Sequence, residues 1–300
     1  MMKKIVIPTD FSENAWNAIE YASKLFKDIE CTFFLLHVYT PAIFSSIEGV
    51  PANTGMEDAS MVFSLNKLKQ LESRIKKELP ALKHHFVNKV SANSLTDEVK
   101  EIVQKEKIDF VIMGTKGSTG AASVFMGSNA VRVIKTVKNC PVLVVPEGSD
   151  FIVPSEIAFS TDFKRFYSYN ELQPLIDFAA LFDATIRIVY VQEQDEPLTK
   201  EQQFNVNMLE KYLADVKHYH HTINKGDSVA DSIKDFTEEL NIYLLAMLYY
   251  KHSFVERLTR EPIVKRIAFQ IKIPFLTIPE LGMSSAFSRK TTRVSEVDKV

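Results

Sequence analysis

Charge of one sign is scarce in this sequence: 36 Lys and Arg stand against 38 Asp and Glu, leaving a net charge of −2 over 300 residues. That balance provides no bulk attraction to nucleic acid or to an acidic membrane, and no long basic run supplies a local one. Neither is expected as a partner. Cysteine is nearly absent. Cys31 and Cys140 flank apolar runs without the spacing of a metal or redox pair, so both read as buried thiols. No apolar run approaches the roughly 20 residues of a membrane helix. The opening MMKKIVIPTDFS carries only the short run IVI before Pro8 and Thr9, too little for a signal peptide. A cytoplasmic protein is expected. Glycine is also sparse, nine in all, yet four of the nine fall between positions 114 and 127.

What is present is ordinary globular material, 46% apolar and 25% charged, in a chain long enough for two cores. Those cores are related by an internal repeat. KKIVIPTDFSENAWNAIEYASKLF at the start is answered by SEIAFSTDFKRFYSYNELQPLIDFAALF, so that Thr9-Asp10-Phe11 corresponds to Thr161-Asp162-Phe163. CTFFLLHVY matches TIRIVYVQE, HHFVNK at 84–89 echoes HHTINK at 220–225, and CPVLVVPE at 140–147 matches IPFLTIPE at 273–280. Within each half, short continuous apolar runs alternate with helical periodicity. Strands of that kind are buried on both faces, which predicts an α/β fold of two tandem doubly wound domains, each with a mainly five-stranded parallel sheet flanked by helices. The expected division is 1–147 and 156–281, with a linker at 148–155 and an unstructured tail at 282–300. Residues 41–60 read as a surface loop that could serve as a lid. Trp16 and Phe26 fall on the first helix, at positions that pack against a sheet.

The concentrated glycines lie in VIMGTKGSTGAASVFMGSNAVRVI, directly after the apolar run DFVIM and before a helical stretch. A glycine-rich turn leaving a strand lets backbone approach phosphate oxygens, and the following helix offers free N–H groups at its positive end. The spacing is Gly114, two residues, Gly117, nine residues, Gly127, Ser128. It fits neither the Walker A pattern nor the G-x-G-x-x-G dinucleotide fingerprint. Asp10, Val38 and Gly114 each follow a predicted strand. In open parallel sheets that is the end where ligands gather, so the three can converge on one crevice.

These segments resemble the universal stress protein family, well over residues 3–147 and weakly over 156–280. The resemblance implies an adenine nucleotide alpha-hydrolase-like fold and a stress-response or signalling role. It also implies ATP as ligand; a carboxylate such as Asp10 can hold Mg²⁺ carried by the nucleotide, and Ser128 Oγ can reach a phosphate or the metal. Asp10 and the backbone of Val38 would hold the adenosine, flanked by Pro8, Thr9 and Met113. Gly114, Lys116, Gly117, Gly127, Ser128 and Asn129 would surround the phosphates. The family's last strand often pairs two domains; VLVVP and FLTIP would then form an intramolecular pseudo-dimer, and homodimerisation is the other possibility.

The second half is expected to be a degenerate copy without a nucleotide. No glycine occurs between Gly226 and Gly282, and counting back from the last strand sets Gly114 opposite Met247, Gly117 opposite Tyr250, Gly127 opposite Arg260 and Ser128 opposite Glu261. Asp162 then reads as the N-terminal residue of a helix, and Asp10 could equally be only the cap of a helix beginning near Glu13. Lys116 could be merely solvated. His218, His220 and His221 do not suggest a metal site, because His220 and His221 face opposite sides of a strand and no carboxylate joins them at ligand spacing. Two rival functions stay open: a slow ATPase, and a nucleotide-independent scaffold acting through dimerisation. An adenylating enzyme of the ATP-pyrophosphatase type is disfavoured, because TDFSENA stands where its SGG-x-DS loop would be.

Overall fold

The computed structural model describes residues 2–39, 55–79, 83–115, 127–193, 196–249 and 272–280. The chain divides into two compact units, Met1–Phe151 and Ile152–Val300. In the first unit the order is β1 (Lys3–Pro8), α1 (Glu13–Leu25), β2 (Cys31–Val38), α2 (Gly55–Glu78), β3 (His84–Ser91), α3 (Leu95–Glu106), β4 (Phe110–Gly114), α4 (Ser128–Thr136) and β5 (Val142–Val145). The strands are all parallel and lie in the order β3-β2-β1-β4-β5. The winding therefore reverses between β1 and β4. The apolar triplet Ile5-Val6-Ile7 of β1 is wholly buried, as are Val111 and Ile112 of β4, which is why these strands carry unbroken apolar runs.

The second unit repeats the plan with β6 (Glu156–Ser160), α5 (Tyr169–Leu181), β7 (Thr185–Gln192), α6 (Lys200–Tyr212), β8 (His218–Asn224), α7 (Val229–Glu239), β9 (Leu244–Tyr249) and β10 (Phe275–Pro279). Its order is β8-β7-β6-β9-β10, again parallel throughout. The doubly wound α/β architecture expected from the sequence is the one observed.

Helix boundaries follow from local chemistry. Ser12 caps α1 by accepting from Ala15 N at 3.2 Å, Glu13 favours the positive end and Lys24 the negative one. Trp16 is buried on α1 beneath the guanidinium of Arg74, 3.8 Å above its ring, and Arg74 also pairs with Glu13 at 3.3 Å, so α2 is clamped to α1. Phe26 is fully buried, with its ring 5.9 Å from Phe110 of β4.

Several expectations need correction. Helix α2 already begins at Gly55, so the stretch 41–60 is not all loop; residues 40–54 lie outside the described residues, as does the tail. The echo between HHFVNK and HHTINK is displaced in the sheets. Thr9 N donates to Leu36 O and Thr161 N to Val189 O, which makes Leu36 and Val189 equivalent. With Leu35 paired to Asn88 and Ile188 to His220, Asn88 rather than His84 is the counterpart of His220. The same reasoning moves the counterpart of Gly114. Val6 pairs with Val111 and its equivalent Ala158 with Leu245, so Gly114 corresponds to Leu248 and not to Met247. Tyr250, Arg260 and Glu261 lie outside the described residues.

Candidate functional site

The site begins with the turn that leaves β1 beside the point where the winding reverses. Pro8 ends the strand, and Thr9 continues its ladder by donating from its N–H to Leu36 O at 2.8 Å. The Thr9 carbonyl accepts from His37 Nδ1 at 2.8 Å, fixing the end of β1 to the end of β2. Thr9 Oγ1 accepts from Phe11 N at 3.1 Å, and Asp10 Oδ1 accepts from Ser12 N at 3.1 Å and from Ser12 Oγ at 2.6 Å. These short-range bonds hold Phe11 in the left-handed region at φ 65°, where its ring lies 4.5 Å from His37 and Lys67 Nζ stands 5.4 Å above it. Asp10 is thus not itself the helix cap. It braces Ser12, which is.

The turn of the second unit is built the same way. Thr161 Oγ1 accepts from Phe163 N at 3.2 Å, Asp162 Oδ1 accepts from Lys164 N at 3.0 Å, and Phe163 has φ 56°. The repeated Thr-Asp-Phe is a folding element before it is anything else. Helix α5, however, starts only at Tyr169, under a capping box between Ser168 and Glu171. Asp162 is therefore not at a helix N-terminus. Fully buried Tyr167 hydrogen-bonds its hydroxyl to that of Thr161 in the intervening stretch, and Gln202 and Asn205 of α6 donate to the carbonyls of Asp162 and Phe163 at 2.9 and 2.8 Å.

In the first unit, Val38 closes β2 in register with Ser91, while Met113 and Gly114 close β4. Because β2, β1 and β4 are neighbours and parallel, Val38, Asp10 and Gly114 arrive at the same end of the sheet. Gly114 has a packing reason to be glycine. A Cβ there would sit 2.6 Å from Asn14 Nδ2 and 2.8 Å from the Asn14 carbonyl oxygen, so α1 occupies the room a side chain would need. Buried Thr115 follows, donating to Val145 O at 3.1 Å, and its own carbonyl accepts from Gly127 N. That bond brings the start of α4 back to the end of β4. Lys116 and Gly117 lie outside the described residues.

The start of α4 differs from the other helix starts of this unit whose caps are described. Ser12 and Ser94 cap α1 and α3 with side-chain oxygens, and both helices carry acidic residues in their first turn. Helix α4 has Gly127 at its cap, no side-chain cap hydrogen bond and no acidic residue in its first turn, and Ser128 and Asn129 are exposed there. Such an end leaves backbone N–H groups and a partial positive charge facing outward, the conditions under which an anion binds. Glycine spacing singled out Gly127 and Ser128 as candidates, and the family resemblance added Asn129. Sequence reasoning missed Asn14, His37 and Thr115, whose roles depend on contacts between distant elements.

The family model for universal stress proteins matches residues 1–146. Universal stress protein MJ0531 of Methanocaldococcus jannaschii is 32% identical over 149 residues, spanning 48% of this chain and 82% of that protein. Universal stress protein MJ0577 of the same organism is 35% identical over 157 residues, spanning 48% of this chain and 95% of that protein. A universal stress protein from Archaeoglobus fulgidus shares the fold with a TM-score of 0.65 at 14% identity, over 92% of this chain and 96% of that one. On the strength of that identity over most of each relative's length, the chain belongs to the universal stress protein family.

Proposed function

We propose that the first unit binds one adenine nucleotide, ATP, with Mg²⁺ carried by the nucleotide, and that its occupancy acts as a cytoplasmic stress-response or signalling switch. The observation that carries the reading is the start of α4. It has neither a side-chain cap hydrogen bond nor an acidic residue in its first turn, and the Gly127–Thr115 hydrogen bond brings it to the end of β4, where the winding reverses. In this reading Gly127, Ser128 and Asn129 take phosphate oxygens together with Lys116 and Gly117, while Asp10 and the backbone of Val38 face the adenosine. Pro8, Thr9 and Met113 shape the crevice floor. Gly114 takes part by position, since the space beside it belongs to Asn14.

The second unit is proposed to be a degenerate copy without a nucleotide. Leu248 stands where the first unit has Gly114, and Tyr167 engages the hydroxyl of Thr161. Isothermal titration of ATP, ADP and AMP with Mg²⁺ into the wild-type protein and into Gly127→Glu tests the whole reading. One nucleotide per chain, abolished by the added carboxylate with the fold intact, is expected. No heat of binding from any of the three nucleotides would sink the proposal and favour a scaffold.

A further inference from the structure

The second unit holds a cluster of side chains that the nucleotide reading does not use. Alternation along β8 puts His218 and His220 on one face and His221 on the other, where its ring meets Phe236 of α7 at 5.1 Å. On the first face, the last turn of α6 brings Glu210 to both histidines: Oε2 lies 2.8 Å from His218 Nε2 and Oε1 lies 2.5 Å from His220 Nε2. The ligand atoms of all three residues fall within 4.8 Å of one another. The carboxylate that the sequence did not supply at ligand spacing comes from the neighbouring helix.

We propose that Glu210, His218 and His220 form a binding site for a divalent transition metal of the zinc class. Zinc takes imidazole nitrogen and carboxylate oxygen at about 2.0–2.2 Å, so two ligands of one ion lie at most about 4.4 Å apart. The ligand atoms lie within 4.8 Å of one another, close to that limit, and the two short contacts at 2.8 and 2.5 Å must open for an ion to enter, within the reach of side-chain torsions. Three protein ligands leave a fourth tetrahedral position for water.

A second observation points the same way. His218 Nδ1 lies 2.7 Å from the carbonyl oxygen of Val216, to which its N–H donates. Nε2 is thereby aimed at the cluster, as a backbone carbonyl orients a metal-bound imidazole. The side chains of His218, His220 and Glu210 are 15%, 32% and 46% exposed, so an ion can reach them without opening the fold. The first unit provides an internal contrast. There the counterparts of His218 and His220 are Phe86 and Asn88, and Asn88 Nδ2 donates to Glu72 of α2 at 3.0 Å. Both units set a helix carboxylate against the third strand, and only the second surrounds it with imidazoles.

The test is calorimetric titration of Zn²⁺ into the full chain, stripped with chelator, near neutral pH, with visible absorption of Co²⁺ as a report on coordination. Glu210→Gln keeps the size of the side chain, and His220→Asn installs the residue of the first unit. One Zn²⁺ per chain is expected, with affinity falling at least about tenfold in each variant and unchanged in His221→Gln. Zn²⁺ should also raise the melting temperature of the wild type more than that of Glu210→Gln. Failure of the wild type to take up Zn²⁺, or equal uptake by wild type, Glu210→Gln and His220→Asn, would overturn the assignment; a simple Glu–His ion pair would then account for the cluster.

Discussion

Asn14 fills the space in which Gly114 would carry a side chain: its amide nitrogen and its backbone oxygen stand 2.6 and 2.8 Å from where a Cβ would lie. The first turn of α1 is thereby seated on the last residue of β4. Gly114→Ala should destabilise the first unit by about 1–3 kcal/mol, the range for overpacking a filled site. Adding Asn14→Ala removes the clash with the amide but leaves the one with the carbonyl oxygen, so it should recover only part of the loss. Urea unfolding of the two single variants and the double variant measures this, and a neutral Gly114→Ala would show that α1 can back away.

Phe11 and Phe163 occupy equivalent left-handed positions, yet they differ in burial. Phe163 is 3% exposed, with Tyr190 at 5.4 Å and His220 at 6.2 Å, whereas Phe11 is half-buried. Glycine relieves a backbone cost of about 1–2 kcal/mol at either position. Removing a buried phenylalanine side chain loses about 3–5 kcal/mol. Phe163→Gly should therefore be clearly destabilising and Phe11→Gly much closer to neutral. Equal losses in thermal melts would mean that the deeper burial of Phe163 does not set its contribution.

Much of the fold was legible because its signals are local. Ile5-Val6-Ile7 and Val142-Leu143-Val144-Val145 read as buried strands by composition, and the Thr-Asp-Phe repeat exposed the duplication. The late start of α5 was also written locally, in the Ser168-to-Glu171 capping box, but the matching of Asp10 to Asp162 drew attention to the wrong residue. Register was not legible. The pair HHFVNK and HHTINK looks equivalent letter by letter, and only the pairing of Leu35 with Asn88 and of Ile188 with His220 separates them. Glycine spacing pointed to Gly114, Gly127 and Ser128 as candidates for a phosphate turn. The packing role of Gly114 and the arrival of Glu210 beside His218 depend on tertiary neighbours, which no spacing rule contains.

The uncapped start of α4 leads to a prediction of opposite signs. A carboxylate in the first turn interacts favourably with the positive helix end, by about 0.3–1 kcal/mol. It also repels phosphate. Ser128→Asp should leave the nucleotide-free protein as stable as wild type or slightly more so, while greatly weakening ATP binding. Melting curves with and without ATP separate the two effects, and undiminished ATP stabilisation of Ser128→Asp would remove the α4 start from the phosphate site.

His84 makes folding pH-dependent in a definite direction. Its ring is buried 4.6 Å from Phe33, Nε2 lies 3.4 Å from Ser23 O, and Nδ1 has no hydrogen-bond partner among the described residues. Burial pushes its pKa below the ordinary 6.5, the Ser23 carbonyl opposes this, and the charge of His85 adds to the lowering. As pH falls through 6.5, the unfolded chain takes up this proton before the folded one, so stability declines until the folded pKa is passed. The slope from one such group is at most about 1.4 kcal/mol per pH unit. Urea midpoints of wild type and His84→Gln should diverge on acidification, with the wild type losing more. Parallel profiles would assign the acid sensitivity elsewhere.

Cys31 and Cys140 are the chain's two cysteines, and both lie in the first unit, fully buried. Burial pushes the Cys31 thiol up to about 12 and raises that of Cys140 as well, so neither forms thiolate at neutral pH in the folded state. Alkylation by iodoacetamide must then wait for the first unit to open. Labelling should be slow in the native protein and fast in urea. A ligand that binds only the closed first unit at a hundred times its Kd should slow labelling roughly a hundredfold. ATP is expected to do this in the wild type and not in Gly127→Glu. Rapid labelling without denaturant would show the thiols to be accessible, and equal protection by ATP in both proteins would place the nucleotide away from α4.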